Sequence, residues 1–386
     1  MKAIVTGMIA TYPVGGVAWD YGQYALGLER LGFEVYYLED TGLEAYHPVK
    51  RDYGADSAHG VDFLRHSLAA LSPGLGKRWQ VRSVDGTTHG MPLDQLRDVI
   101  AEADLFLNVS GSALMRDEYL HCRNKVLIDT DPGLSQLRNY PRWDARPRWM
   151  GTHGFRAHDH FFTYAELIGT PACMLPTLGL QWQPTRPPVV LDLWRPQPPG
   201  QQWTTVMTWR NFPELIEYQG RRYGGKELEF GSVEALPGRT AANLEIAVGG
   251  VGPPIARWRS LGWSVIDSHS VSATMDDYRG YIERSRGEFS VAKNTYAATC
   301  SGWFSCRTVC YLAAGRPAVL QDTGYSRIIP CGEGVLPFRS LDEAAAAIES
   351  VEARYAQHQE AARSLAERYF ASDRVLGDLL ERIGIG

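Results

Sequence analysis

Short runs of apolar residues alternate with stretches in which apolar residues recur at helical spacing, beginning at the start of the chain. The apolar runs Lys2–Thr6 and Glu34–Leu38 are predicted strands. Between them, a glycine-containing turn leads into a helix expected over 19–31, which Gly32 ends. The order strand, helix, strand predicts a βαβ unit and therefore a parallel sheet.

The same alternation continues and predicts further α/β units. A helix is expected over 92–102, and strands are expected over 103–109, 125–128 and 160–163. Strands that alternate with helices indicate a doubly wound α/β domain, which we assign to residues 1–195.

A proline-rich segment separates this domain from a second one. Residues 183–203 contain six prolines, which predicts a stiff, extended connector. After it, strands are expected over 203–207, 244–248, 263–266, 288–291 and 317–321. Helices are expected over 226–234, 254–261, 275–285, 305–314 and 341–365. We therefore predict an α/β fold with two Rossmann-like, doubly wound parallel-sheet domains, 1–195 and 196–386, facing each other across a cleft. The C-terminal helix is free to pack back on the first domain.

The composition fits a globular protein and excludes several classes. Of the 386 residues, 44% are hydrophobic and 22% are charged, and the formal net charge is −5. Neither a nucleic acid nor an anionic membrane surface is therefore an expected partner. No apolar run approaches the roughly 18 residues of a membrane span. Six cysteines without a CxxC pair predict reduced thiols and a cytoplasmic chain. We expect a monomer or a homodimer.

Two stretches of sequence stand out as motifs. The first is Tyr12-Pro-Val-Gly-Gly16, followed by a helix ending in Leu28-Glu-Arg-Leu-Gly-Phe-Glu-Val35. The second is Ser301-Gly-Trp-Phe-Ser305, followed by a helix and by Ala314-Gly-Arg-Pro-Ala-Val319. In this order, they resemble nucleotide-sugar glycosyltransferases with the GT-B fold, of the family that includes sucrose and glycogen synthases. The resemblance covers nearly the whole chain and implies sugar transfer from a nucleoside diphosphate donor.

The chain departs from that family at the donor site. The family usually carries two glutamates eight residues apart, one for the donor sugar and one for the ribose. The corresponding positions here are Gly302 and Cys310, so we expect other residues to make those contacts.

Sugar transfer leaves negative charge on the diphosphate, so the site needs fixed positive potential and a group that accepts the acceptor's proton. A helix N-terminus and basic side chains supply that potential without a metal. Lys293 follows a predicted strand at its carboxyl end, where ligands bind in open α/β sheets. Arg307 lies in the first turn of the helix that begins near Ser305. Gly15 and Gly16 allow the backbone to approach a phosphate.

The resemblance implies further donor-binding residues. In similar proteins a basic pair grips the diphosphate, and Arg210 and Lys226 are its counterparts, although their sixteen-residue spacing is longer than is usual. His269 lies where such proteins hold the nucleobase. The other residues that the resemblance places at the donor are Ser301, Gly302, Ser305, Asp322, Thr323 and Gly324.

Three side chains are candidates for accepting the proton. Asp131 is favoured, because the resemblance implies an Asp or His in the loop that faces the acceptor, and Asp20 and His153 are the others. Asp129 is interpreted as structural. A second interpretation stays open, since two carboxylates such as Asp129 and Asp131 at a strand end can hold Mg²⁺ or Mn²⁺, as in the GT-A fold.

These observations lead to one main hypothesis and two alternatives. The main hypothesis is a metal-independent glycosyltransferase without a cofactor, which moves a sugar from a UDP, TDP or GDP donor to a small-molecule, lipid or saccharide acceptor. One alternative is a sugar-nucleotide epimerase of the same fold. The other is a catalytically inactive chain that binds sugar nucleotide and acts through a partner protein, as the missing glutamates suggest.

Overall fold

Two sheets organise the chain, and the computed structural model describes residues 1–140, 154–210 and 214–385. The strands are β1 (Lys2–Thr6), β2 (Glu34–Glu39), β3 (Ala45–His47), β4 (Asp52–Gly54), β5 (Trp79–Arg82), β6 (Thr88–Gly90), β7 (Leu105–Val109), β8 (Lys125–Asp129), β9 (His160–Thr163), β10 (Trp182–Pro184), β11 (Gln202–Thr208), β12 (Ile216–Tyr218), β13 (Arg221–Tyr223), β14 (Asn243–Gly249), β15 (Ser264–Asp267), β16 (Gly287–Ser290), β17 (Ala318–Gln321) and β18 (Val335–Phe338). The α-helices are α1 (Gly15–Arg30), α2 (Ala58–Leu71), α3 (Leu93–Glu102), α4 (Ile255–Ser260), α5 (Met275–Glu283), α6 (Asn294–Ala297), α7 (Cys306–Ala313), α8 (Leu341–Ala353), α9 (Tyr355–Tyr369) and α10 (Ser372–Arg382).

The first sheet runs in the order β10-β9-β8-β7-β1-β2-β5-β6. Its neighbouring strands are parallel, apart from the antiparallel pair β5 and β6. The chain moves outward from β1 to β6, returns to β7 beside β1, and then moves outward on the other side. This reversal is the defining feature of a doubly wound sheet.

The second sheet repeats this plan in the order β15-β14-β11-β16-β17-β18, with every pair parallel. Its reversal lies between β11 and β16. The predicted α/β class with two Rossmann-like sheets is therefore confirmed. We call the part that carries β1–β10 the first lobe and the part that carries β11–β18 the second lobe.

Two predicted helices are wrong in detail. Residues 226–234 form the short 3-10 turns Lys226–Leu228 and Phe230–Ser232, because Glu229 between them turns inward. Its carboxylate accepts hydrogen bonds from Asn294 and Gln321, at 2.5 and 2.6 Å.

The helix predicted over 341–365 is divided into α8 and α9. The break falls at Arg354, whose φ of −137° lies outside the helical region. As a result the Tyr355 ring lies beneath the Arg286 guanidinium, and Arg286 Cζ is 3.5 Å from the centroid of that ring.

The proline-rich segment is packed against both lobes and is not a free connector. Val189, Val190 and Trp194 are buried. Val189 pairs with Ala371 in an isolated bridge, and the Trp194 indole donates a 3.1 Å hydrogen bond to Gln23 Oε1.

The last helix, α10, lies against α1 of the first lobe. Gly27 permits this close approach, because a Cβ there would lie 2.6 Å from Leu376 Cδ1. One buried apolar cluster continues from the first sheet through α1 to α5, α7 and α10. None of the described helices has both the length and the apolar composition needed to cross a membrane.

Candidate functional site between the lobes

The carboxyl ends of the strands in the two sheets face each other across the lobe boundary. Thr130, which follows β8, accepts a 3.0 Å hydrogen bond from the Trp303 indole. Gly15 donates its backbone N–H to the Ser272 carbonyl at 2.7 Å. Because ligands bind at the carboxyl edge of open parallel sheets, this boundary is the candidate site.

Three basic side chains of the second lobe gather at this edge. The Lys226 ammonium is buried and donates to the Val291 carbonyl at 2.7 Å. Burial lowers the pKa of Lys226 well below its ordinary value, and the charges of Arg307 and Lys293 lower it further, while Glu288 opposes them. The three basic side chains are thus close enough to disfavour one another's charged forms, and an anion placed among them favours those charged forms.

Arg307 points into the edge of the sheet. Its Nε donates to Glu288 Oε1 at 2.7 Å, and its Nη atoms donate to the Val206 carbonyl and to Ser290 Oγ at 2.8 and 2.6 Å. Glu288 is fully buried, and its Oε2 has no hydrogen-bond partner among the described residues. The Arg307 guanidinium is therefore held at the carboxyl edge of the sheet by Glu288, Ser290 and the Val206 carbonyl, and does not extend into solvent.

The two predicted serines are engaged within the second lobe. Ser305 caps α7, since its Oγ accepts the Arg307 N–H at 3.2 Å. Ser301 is buried, and its Oγ accepts from the Trp303 N–H and donates to the Tyr296 carbonyl, both at 3.3 Å. What α7 offers an anion is therefore the positive end of its helix dipole more than these two hydroxyls.

Gly302 shows why the first family glutamate is absent. Its φ of +80° favours glycine. A Cβ at this position would lie 3.0 Å from both Leu167 Cγ and Ile328 Cδ1, so a larger side chain has no space. Cys310, at the second glutamate position, is buried and accepts from Gln23 Nε2 at 3.8 Å.

The glycine pair at the start of α1 touches the second lobe directly. A Cβ at Gly15 would lie 2.1 Å from the Thr274 carbonyl oxygen, and one at Gly16 would lie 3.0 Å from the Tyr278 ring. Gly16 also donates its N–H to Ser272 Oγ at 3.3 Å. Glycine is required here because the backbones of the two lobes meet without intervening side chains.

Asp131 reaches across the boundary and binds the second lobe. Its Oδ2 accepts from Lys293 Nζ at 2.5 Å and its Oδ1 accepts from the Tyr296 hydroxyl at 2.6 Å. Both partners come from the segment that follows β16. The favoured proton acceptor is thus already held by a cation and a phenol.

Asp129 is enclosed by hydrogen bonds within the first lobe. Its buried carboxylate accepts hydrogen bonds from Ser135, Gln136 and Thr163 at 2.6–2.8 Å. Burial raises its pKa, and these hydrogen bonds oppose the rise. All these partners belong to the first lobe, whereas the partners of Asp131, Lys293 and Tyr296, belong to the second lobe. In the described ranges, no three His, Cys, Asp or Glu side chains are grouped to hold a metal ion.

Asp20 lies on α1, one turn beyond Gly16, and faces α7. Burial raises the pKa of its carboxyl to about 6, and a hydrogen bond with the Cys306 thiol moderates the rise. Among the described residues no basic side chain forms an ion pair with it. A carboxyl that titrates near neutrality is suited to accept a proton.

The loop that follows β17 is held by its own side chains. Asp322 accepts the Gly324 N–H at 2.8 Å and pairs with Arg339 at 2.5 Å. Thr323 is buried and donates its hydroxyl to the Trp303 carbonyl at 2.6 Å. Gly324 has a φ of +97°, which the turn requires. This loop therefore supports the Trp303 segment from behind.

The last three candidates lie in different surroundings. Arg210 is exposed and follows β11 at the carboxyl edge. His269 lies after β15, where its backbone N–H donates to the Asp267 carboxylate at 2.9 Å. His153 lies outside the described residues.

Several residues of this site were missed in the sequence. Tyr296 and Trp303 hold Asp131 and its neighbour Thr130, and their rings stack with centroids 4.1 Å apart. One signal was present, because Tyr296 is three residues after Lys293 and three-residue spacing places side chains on one helix face. Glu288, inside a strand of consecutive buried residues, gave no such signal.

No protein-family model and no curated protein match the sequence. Solved structures match over almost the entire chain. They include AviGT4, a glycosyltransferase involved in avilamycin A biosynthesis (TM-score 0.56, 13% identity, 99% of this chain and 96% of that chain). Anabaena HepE in complex with UDP-glucose has a TM-score of 0.57, 11% identity and 99% coverage of both chains. An alpha-glucosyltransferase in complex with UDP-glucose and DNA containing an abasic site has a TM-score of 0.56, 10% identity and coverages of 99% and 98%.

At these low identities the likeness shows the fold. The chain has the two-lobed GT-B fold of these glycosyltransferases, as the resemblance in its motifs implied.

Proposed function

We propose that this protein is a metal-independent glycosyltransferase that uses a nucleoside diphosphate sugar as its donor. The observation that carries the proposal is the group of three basic side chains, Lys226, Lys293 and Arg307, at the carboxyl edge of the second sheet. Such a group stabilises the charge that develops on a leaving diphosphate. The UDP-glucose bound to HepE, which has the same fold, makes UDP the first nucleotide to test.

We assign donor binding to the second lobe, residues 196–386, and acceptor binding to the first lobe, residues 1–195. The second lobe carries the cations and the positive end of α7. The first lobe contributes the glycine pair, Asp20 and Asp131 at the opposite edge. Closure of the lobes then brings the donor, the acceptor and the proton acceptor together.

For the proton acceptor we now place Asp20 ahead of Asp131. Asp20 has a pKa of about 6, so it is largely ionised at neutral pH and still basic enough to take a proton. Asp131 is engaged by Lys293 and Tyr296. The proposal of metal independence rests on the cations, which supply the positive potential that a divalent ion otherwise provides.

A thermal-shift panel tests donor binding and metal dependence together. The chain is heated with UDP, TDP, GDP and their sugar nucleotides, in EDTA and in MnCl₂. A donor at about one hundred times its Kd raises the free energy of unfolding by about 2.7 kcal/mol, which raises Tm by about 3–5 °C. A sugar nucleotide that stabilises the chain is then assayed for release of its nucleoside diphosphate. No shift with any of these compounds contradicts donor binding, and a shift only with Mn²⁺ contradicts metal independence.

A further inference from the structure

The contact between Asp131 and Lys293 occupies the one of the three basic side chains, Lys226, Lys293 and Arg307, that pairs with a carboxylate of the first lobe. Lys226 is buried beneath the edge, and Arg307 is engaged by Glu288, Ser290 and a backbone carbonyl. Lys293 instead extends across the boundary, and its side chain is 17% exposed to solvent. A pyrophosphate that enters between the lobes therefore has to compete with the Asp131 carboxylate for the Lys293 ammonium.

The turn that carries Asp131 is held in register by further contacts. The Trp303 indole donates to the Thr130 carbonyl at 3.0 Å, and the same ring stacks on Tyr296, which donates to Asp131. At Gly133, a Cβ would lie 3.0 Å from Thr295 Cβ, so the backbone of the turn also approaches α6 closely. The position of Asp131 is thus set by packing as well as by charge.

The charges at the edge show why an internal anion belongs here. Glu288 is the carboxylate that acts on Lys226 from within the second lobe, against the positive charges of Arg307 and Lys293. Two unit charges at contact distance interact strongly when water is partly excluded. Without a ligand, Asp131 supplies the second negative charge to this group.

We propose that Asp131 is a built-in substitute for the donor's pyrophosphate. In the donor-free chain its carboxylate occupies Lys293 and holds the lobes together, and the entering pyrophosphate displaces it. This inference rests on the proposed function and adds a competitor to the donor site. Donor affinity is then lowered by the fraction of chains in which Asp131 holds Lys293.

The test is the affinity for UDP of Asp131→Asn, measured by calorimetry in EDTA. Asparagine keeps the size of the side chain and removes its charge, so we expect UDP to bind roughly three- to tenfold more tightly than to the unmodified chain. Asp159→Asn is the matched control, because Asp159 pairs with Lys125 within the first lobe and the variant has the same net charge. The control should bind UDP as the unmodified chain does. Equal or weaker binding by Asp131→Asn overturns the inference.

A double-mutant cycle shows whether the gain acts through Lys293. In a Lys293→Met background the substitution Asp131→Asn should no longer tighten UDP binding, because the ammonium for which the two anions compete is gone. A gain that persists in that background overturns the inference, since it then reflects general electrostatics.

A second variant protects the test against misfolding. Tyr296→Phe keeps the ring on Trp303 and removes only the hydroxyl that anchors Asp131 Oδ1, so a smaller gain in UDP affinity is expected. No gain in either variant contradicts the internal-anion inference alone, provided that the unmodified chain binds UDP. If none of these chains binds UDP, TDP or GDP, the proposed function itself fails, and this inference fails with it.

Discussion

Lys226 places its amino group in a buried position, where the charged form is disfavoured. It is buried, and its hydrogen bond goes to a neutral carbonyl, that of Val291. Burial is the main cause of its lowered pKa, and Arg307 and Lys293 add to it. A diphosphate reverses this balance, because an adjacent anion favours the charged form of lysine.

Donor binding should therefore be coupled to proton uptake by Lys226. Between pH 8 and pH 10 the binding enthalpy of UDP should depend on the ionisation enthalpy of the buffer, and affinity should fall as pH rises, because binding favours the charged form of Lys226. In this range the second phosphate ionisation of UDP, with a pKa of about 6, does not contribute. Calorimetry in two buffers of different ionisation enthalpy measures the uptake, and Lys226→Met should abolish it. Enthalpies that agree in both buffers contradict the coupling.

Asp20 should govern the acid side of the pH profile. Its carboxyl has a pKa of about 6, and a base must be ionised to act, so kcat/KM should rise as pH increases through 6. Asp20→Asn should lower turnover by about 10²–10⁴-fold and leave UDP affinity within about twofold. Asp94→Asn, at an exposed acid in the first turn of α3, is the control and should change neither. A near-normal rate for Asp20→Asn removes Asp20 as the base.

At this scale the sequence identified positions better than directions. Lys293 was placed at the edge by the strand that precedes it, and the strand is where it was expected. Arg307 was placed in the first turn of a helix, but nothing in that position tells whether its side chain points out or down. The direction of the Arg307 side chain is decided by its ion pair with Glu288, a buried residue of β16.

A hairpin accounts for the long spacing between Arg210 and Lys226. Strands β12 and β13 pair antiparallel within this interval. The hairpin contacts the first lobe, where Ile216 and Tyr223 pack with Leu137 and other buried residues of that lobe. The extra residues thus form an arm of the second lobe that spans the boundary.

Removing a buried side chain from this arm should weaken the contact between the lobes. Ile216 is buried, so Ile216→Ala should lower the free energy of unfolding by about 2–4 kcal/mol. Val251→Ala removes a side chain that is 75% exposed and should cost less than about 0.5 kcal/mol. Urea unfolding of both variants measures the difference. Equal stabilities contradict the packing of the hairpin on the first lobe.

Elements were predictable where one local pattern dominates. Ten strands of the two sheets are short, buried apolar runs that the sequence located within a few residues, whereas β5, β6, β10 and β18 were not predicted. The predicted helix over 226–234 was wrong because its apolar spacing fits two 3-10 turns equally well, and the deciding contacts of Glu229 come from distant residues. The hairpin β12–β13 was not foreseen for the same reason, since its partners lie in the other lobe.

In the whole molecule, the lobes meet through charge and backbone contacts at one edge and through apolar packing along α1. The packing of α1 against α5, α7 and α10 joins the lobes on one side of the site. The ion pair of Asp131 with Lys293 spans the boundary on the other side. The sequence predicted two domains with a cleft, but part of the proline-rich segment that marked their boundary, including Val189, Val190 and Trp194, is itself buried.

We propose that basic side chains of the second lobe hold a pyrophosphate without a divalent ion. The UDP affinity of Lys226→Met in EDTA tests this, compared with the unmodified chain and with the control Lys77→Met at an exposed lysine. Lys226→Met removes the amino group that carries a positive charge beneath the diphosphate. Losing an interaction with a charged group costs about 1.5–3 kcal/mol, so the variant should bind UDP at least roughly tenfold more weakly, and the control should bind it unchanged. Binding to Lys226→Met that equals that of the unmodified chain, or UDP binding that appears only when Mn²⁺ is added, would contradict the claim.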